Sequence, residues 1–194
     1  MRGDKMAPKV KVTKGQILTA AVNIVRRDGI GALNARDLAK RLNCSTQPIF
    51  SCYSTMEKLK TDVMEEAIKC YQQYLETGMK NPGFPPYKAA GMSYIRFAKE
   101  EKELFRLLFM RDRTGERIDE VTEETDCMAR LISSATGLSY DQALQMHILM
   151  WIYVHGIATM VVTSYLDWDW ETISSMMTDV YEGVKQRYLN KEKR

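Results

Sequence analysis

Residues 38–54 read LAKRLNCSTQPIFSCYS, two amphipathic fragments separated by a polar break, with Pro48 inside the second fragment. If the second fragment is helical, two short helices meet across a tight turn and the stretch is a helix-turn-helix. If Pro48 enforces a loop, there is no such motif. With Ser45 as N-cap, Pro48 is the third helical residue, inside the first turn, where a backbone N–H has no carbonyl partner in any case. The ring disfavours the α conformation at Gln47, a modest cost, and leaves the Gln47 N–H to donate to the Ser45 hydroxyl. The spacing therefore predicts a supporting helix over NARDLAKRL, a turn at NCS and a second helix over TQPIFSCY. Leu38, Leu42, Ile49 and Tyr53 would fill a three-helix core, and Ala39 is small where the helices cross. Thr46, Gln47 and Ser51 are left outward, at the end that enters a major groove.

The flanks extend the pattern. TKGQ at residues 13–16 is a capping box, and Ile17, Ala20, Ala21, Ile24 and Val25 follow on one helical face before Gly29, a natural stop. Asn34 is a good N-cap for the supporting helix. A long helix is predicted from about 55 to 77, opened by Ser54 with Glu57 and closed by Gly78, with Leu59, Val63, Ala67, Tyr71, Tyr74 and Leu75 on its buried face. Further helices are expected over about 87–100, 101–110, 116–136 and 139–166, the last opened by the SYDQ box, and a final one from about Asp169. Only 5 prolines and 11 glycines interrupt a chain rich in helix formers, and no strand alternation or repeat occurs. The expected fold is all-α, with about nine helices.

Charge is divided unevenly. Residues 1–63 carry 12 Lys/Arg and 5 Asp/Glu, a net +7, while the remainder carries 16 and 20, a net −4. A basic N-terminal third on a mildly acidic body suggests a head that binds a polyanion. The start of the chain has no apolar core and does not read as a secretory signal. The apolar run 148–162 is shorter than the ~20 residues of a membrane span and contains His155, so a buried helix is expected and no membrane role. Four cysteines without CxxC or metal-ligand spacing read as thiols of a reducing, cytoplasmic compartment. No nucleophile motif or phosphate loop is present, so neither an enzyme nor a cofactor is expected.

On these motifs, TKGQILTAAVNIVRRDGIGALNARDLAKRLNCSTQPIFSCYSTMEKL resembles the DNA-binding domain of TetR-family transcriptional regulators over about 47 residues. More loosely, YIRFAKEEKELFRLLF and Trp151, His155 and Gly156 resemble a TetR subgroup with a Trp-x-x-x-His-Gly motif. The resemblance implies a basic arm (1–12), a DNA-binding domain (13–58) and a ligand-binding and dimerisation domain (59–194). It implies a double-stranded DNA operator as partner, with Lys11, Lys14, Arg36, Ser45, Thr46, Gln47, Phe50, Ser51 and Lys58 as DNA contacts. Gln47 has the geometry to pair with adenine N6 and N7, and Phe50 to meet a thymine methyl. The sequence departs from the family at Phe50, Cys52 and Met56, where Tyr, His and Lys commonly reach phosphates. Each lost contact of that kind weakens binding and flattens its salt dependence.

The resemblance further implies a small-molecule effector, apolar or aromatic, held in the C-terminal bundle. Tyr71, Tyr94, Phe97, Phe105, Met110, Met128, Met146, Met150, Trp151 and His155 lie on stripes able to face a cavity, although methionine and aromatic side chains at helical spacing serve equally as plain core. The last two helices carry apolar faces too extensive for one partner each. As the resemblance implies, a two-fold four-helix interface would bury Met160, Ile173, Met176, Met177, Val180 and Val184. Two readings thus stand: a homodimeric, ligand-responsive regulator, most simply a repressor, or a helical small-molecule-sequestering protein whose head has lost DNA recognition.

Overall fold

The structure, a computed structural model, describes residues 12–115 and 122–191. Among these residues there are nine α-helices and no strand: α1 (Lys14–Asp28), α2 (Ala35–Arg41), α3 (Gln47–Cys52), α4 (Met56–Met79), α5 (Pro86–Glu100), α6 (Lys102–Phe109), α7 (Glu123–Thr136), α8 (Tyr140–Val162) and α9 (Trp170–Lys191), with a 3-10 turn at Ile30–Ala32.

The local chemistry sets most of the ends. Thr13 and Gln16 form the reciprocal capping box of α1, and Ser139 with Gln142 does the same for α8. Asn34 Oδ1 accepts from the Arg36 and Asp37 amides at 3.1 and 3.0 Å to open α2. Its C-terminus closes by donation from the Cys44 N–H to the Ala39 carbonyl and from the Asn43 N–H to the Lys40 carbonyl. With Asn43 left-handed at φ 50°, this is a Schellman motif. The polar break is therefore a built corner rather than a slack link.

Several boundaries differ from expectation. Ser45 does not cap α3: the Cys44 bond back to Ala39 leaves Ser45 exposed in the turn. Thr46 becomes the half-helical residue, with no side-chain cap. Pro48 is consequently the second helical residue, and the first amide to bond is Phe50, to the Thr46 carbonyl at 3.2 Å, so the proline still forfeits no helical hydrogen bond. Thr55, not Ser54, opens α4, because it is the extended residue whose hydroxyl reaches the Lys58 amide. The helix expected from 116 is described only from Glu123, capped by Thr122; residues 116–121 lie outside the described residues.

Gly78 does not stop α4 but lies inside it. A Cβ there would sit 1.6 Å from Ser93 Oγ, so the glycine is what lets α4 and α5 touch backbone to backbone. Helix α5 is buried on almost every side, with Ala89, Ala90 and Ala98 as small contacts and Met92, Tyr94, Ile95 and Phe97 as large ones. Around it α4, α6, α7, α8 and α9 form the body. In the head, Ile17, Leu38, Ile49 and Leu59 are fully buried, each contributing about 2–3 kcal/mol of hydrophobic stabilisation. The apolar core is continuous from the head into the body. Arg26 of α1 pairs with Glu101 at the start of α6 at 2.7 Å, a link across that junction.

Helix α8 is long and apolar enough to cross a membrane by length and composition. It packs one side against α5 and α7 as a core helix does. The other side is exposed: Ile148, Leu149, Ile152 and Met160 face outward, and Trp151 is 46% exposed.

Candidate nucleic-acid interface and ligand cavity

The outward face of the head begins with Gln47, exposed in the first turn of α3, flanked by exposed Ser45 and half-buried Thr46. One turn on, Ser51 is exposed but its hydroxyl donates to the Gln47 carbonyl at 2.9 Å, which leaves it as an acceptor only. Phe50 is 47% exposed, a large apolar side chain on an otherwise polar surface. Arg36 and Lys58 are exposed and make no ion pair with a described residue. Lys11 lies outside the described residues. Ile49 is the only fully buried side chain of α3. The orientation of α3 thus depends on what holds its two ends.

Its C-terminal end is held by three groups. Tyr53 donates to Asp62 Oδ2 at 2.9 Å, Lys14 reaches the same oxygen at 2.9 Å, and the Lys14 ammonium lies 4.8 Å from the Tyr53 ring centre. Hydrogen bonds from Lys14 and Tyr53 hold the Asp62 carboxyl below the usual carboxylate range. Burial, reinforced by the bond to Asp62, pushes the Tyr53 hydroxyl up. Lys14 is therefore not a free phosphate contact: its charge is largely answered by Asp62, and it ties α1 to α3 and α4.

The body holds a half-open cavity of about 580 Å³ between α4, α5, α7, α8 and α9, within the range of drug-sized sites. Of the ten candidate ligand residues, Tyr71, Tyr94, Met128, Met150 and Trp151 line it. The other five do not. Phe97 and Phe105 are fully buried behind Tyr94, packed ring against ring with Tyr71 and Phe109. Met110 ends α6 at an exposed position, and Met146 packs instead with Ile132, Leu138 and Tyr188 in a separate cluster. His155 sits behind the wall, stacked on Trp151 at 5.2 Å and 17°, its Nδ1 2.8 Å from the Tyr94 hydroxyl.

The cavity also recruits residues the sequence reading passed over: Tyr87, Glu124, His147, Tyr181 and, from α9, Met177. His147 was signalled by spacing, since 147, 151 and 155 make one stripe at intervals of four. Its Nδ1 lies 3.1 Å from the Tyr87 hydroxyl. Burial lowers both histidines below their usual value, so both are neutral at pH 7. Glu124 had no signal, for an acid in the first turn of a helix reads as a solvated complement to the helix dipole. It keeps accessible surface because the cavity admits solvent, yet its Oε1 accepts from the Tyr71 hydroxyl at 2.7 Å. Enclosure pushes its carboxyl up, partly offset by that hydrogen bond.

The expected partner surface also needs correction. Ile173 and Met177 are buried within the chain, and Val184 packs against the cluster around Met146. A single stripe of α9 is consumed by α5 and α8, leaving Met176 and Val180 half-buried at its edge. The surplus apolar surface lies on α8, where Met160 is exposed. Gly156 lies within that face, and a Cβ on it would meet nothing within 4 Å in this chain.

Among the described residues, no group of histidines, cysteines and acids is arranged to hold a metal. Residues 87–180 match the family described as tetracyclin repressor-like, C-terminal domain. No curated protein sequence matches the chain. Among solved structures, the chain is similar to a TetR-like transcriptional regulator from Rhodococcus sp. RHA1, with 16% identity, a TM-score of 0.63 and coverage of 91% of this chain and 94% of that one. A protein of unknown function from Rhodococcus sp. RHA1 gives 17%, 0.69, 94% and 98%. A TetR variant from Acinetobacter baumannii AYE in complex with minocycline gives 16%, 0.52, 94% and 98%. The chain therefore has a TetR-like fold, and its residues 87–180 match the tetracyclin repressor-like C-terminal domain.

Proposed function

We propose that the protein is a homodimeric transcriptional regulator of the cytoplasm, most simply a repressor, released from a palindromic operator by a small molecule bound in the body. Residues 13–58 form the DNA-binding head and 59–194 the ligand-binding and dimerisation unit. The observation that carries this reading is α4. Its first half supplies Leu59 and Val63 to the core beneath the head, and its second half supplies Tyr71 and Leu75 to the cavity wall. One helix is thus common to both sites, so an occupant that favours one placement of Tyr71 biases the placement of the head. Coupling of this kind requires a difference in affinity between the two placements.

A second copy of the chain supplies the partner for the α8 face. The exposed Ile148, Ile152 and Met160 surround Gly156, where two helices can approach closely. Two-fold pairing there sets the α3 helices about one DNA turn apart, ~34–36 Å, on half-sites of a palindrome. The stacked Trp151 and His155 followed by Gly156 support placing the chain in the Trp-x-x-x-His-Gly subgroup.

Gel-shift of the protein's own promoter region at moderate salt tests the reading: a sequence-selective complex is expected, and its absence sinks it. The sequestering alternative is favoured by one feature, the exposed Phe50 and Cys52 and the Asp62-bound Lys14 at places where phosphate contacts are expected. A steep loss of DNA affinity with salt, together with lost selectivity in Gln47→Ala, argues against that alternative.

A further inference from the structure

This inference rests on the cavity being the effector site and names the chemistry that site selects. Aromatic rings of Tyr71, Tyr94 and Trp151 wall the cavity, and three charged side chains reach its lining: Lys88, Glu124 and Glu182. Two of the three are held by neighbours, although only Glu182 meets a charge of opposite sign. The Lys88 ammonium donates to Thr178 Oγ1 at 2.7 Å and lies 5.0 Å from the centre of the Phe84 ring. Glu182 pairs with Lys185. Glu124 has no cation partner among the described residues; its single bond is the one received from Tyr71. His147, the remaining ionisable group on the wall able to turn positive, is kept neutral at pH 7 by burial. The ring that donates to Glu124 packs edge-on against Tyr94, with centroids 5.9 Å apart. The carboxylate is therefore held at an aromatic corner of an apolar, solvent-admitting cavity, with no cation partner among the described residues.

A charge so placed is costly until something of opposite sign arrives. Aromatic faces around it favour a cation whose charge is spread and weakly hydrated, since ring quadrupoles attract cations and not anions. We propose that the cavity selects a hydrophobic monocation, an organic onium ion bearing aromatic rings, its charge against Glu124 and its rings among Tyr71, Tyr94 and Trp151. A neutral apolar molecule would leave Glu124 unanswered, and an anion of the same shape would oppose it.

The test titrates the full-length protein, by calorimetry, with tetraphenylphosphonium and tetraphenylborate, ions of the same shape and opposite charge. Neutral N-phenyl-1-naphthylamine reports on the cavity regardless of charge. The phosphonium is expected to bind at least tenfold tighter than the borate. Glu124→Gln should weaken phosphonium binding tenfold or more, erase the preference and leave the neutral probe unchanged, while Glu171→Gln, at an exposed position off the cavity lining, stays within twofold of the parent. Equal or tighter borate binding, or full phosphonium affinity in Glu124→Gln, overturns the proposal. If the neutral probe binds and neither ion does, the effector site stands and the cation assignment falls. If none of the three binds, both fall together.

Discussion

Gly78→Ala sets two physical effects against each other with opposite signs. Helix propensity alone favours alanine inside α4 by about 1 kcal/mol. Against it, the new Cβ would lie 1.6 Å from Ser93 Oγ, 2.9 Å from Ser93 Cβ and 3.4 Å from the Ala89 carbonyl oxygen. Ser93 is 6% exposed, and its hydroxyl donates to the Ala89 carbonyl at 2.8 Å. Rotating the hydroxyl away relieves the first contact at the cost of a buried hydrogen bond, about 1 kcal/mol. The second contact involves an atom that rotation does not move, so α4 and α5 must part, an overpacking cost of about 1–3 kcal/mol. The net expectation is a loss of about 1–3 kcal/mol, or roughly 3–9 °C in Tm for a chain of this size. Thermal and urea unfolding at matched protomer concentration measure it. Adding Ser93→Ala removes the 1.6 Å contact and keeps the 2.9 Å one, so the double variant should recover part of the loss. A neutral or stabilised Gly78→Ala refutes the close-approach argument outright.

Other outcomes follow from the same geometry. Ile49→Ala removes the only fully buried side chain of α3 and should cost about 3 kcal/mol of stability. Gln47→Ala should leave stability within about 0.5 kcal/mol but lower discrimination between operator and unrelated DNA by about 1–3 kcal/mol, read by competition gel-shift. Ile152→Glu places a charge in the middle of the exposed α8 face, where Ile152 is 57% exposed in the single chain. Light scattering should find a folded monomer, because an unpaired charge in that interface costs roughly 3 kcal/mol or more; a persisting dimer places the interface elsewhere. His147 and His155 both have folded-state values lowered by burial from 6.5. As pH falls through about 6.5 the unfolded chain takes up those protons before the folded one, so stability should decline with falling pH until both folded histidines are charged. Unfolding midpoints between pH 7.5 and 5.5 measure this, and replacing either histidine by glutamine should flatten the slope.

Much of the fold was legible because its signals are local. Capping boxes at Thr13 and Ser139 and the cap at Asn34 depend on residues within three positions of each other, and they form as read. The helix after Pro48 was legible for the same reason, although the cap at Ser45 was not: the Schellman corner one residue earlier fixes where the chain can go. Gly78 shows the opposite case. A glycine near a helix end reads as a stop, and only the arrival of Ser93 from α5 turns it into a contact. The cavity follows the same division. Tyr71, Tyr94 and Trp151 reach it from stripes visible in sequence, while Phe97, one helical turn beyond Tyr94, points into solid core. Stripe position alone does not say where packing leaves a void. On α9, Ile173 and Met177 looked like surplus surface because the sequence does not show that α5 and α8 already claim that side.

The Gly78 contact has a mechanical consequence for the head. It fastens the far end of α4 to α5, while the opposite end begins 22 residues away at Met56, about 33 Å along the axis at ~1.5 Å per residue. An angular change at the fastened end is therefore multiplied by that distance before it reaches α3. A swing of about 6° displaces the head by about 3.4 Å, the spacing of successive bases along one DNA strand. The length of α4 fixes a gain: a small rotation beside the cavity becomes a base-sized displacement of the head, worked against the α1–α6 packing and the Arg26–Glu101 pair.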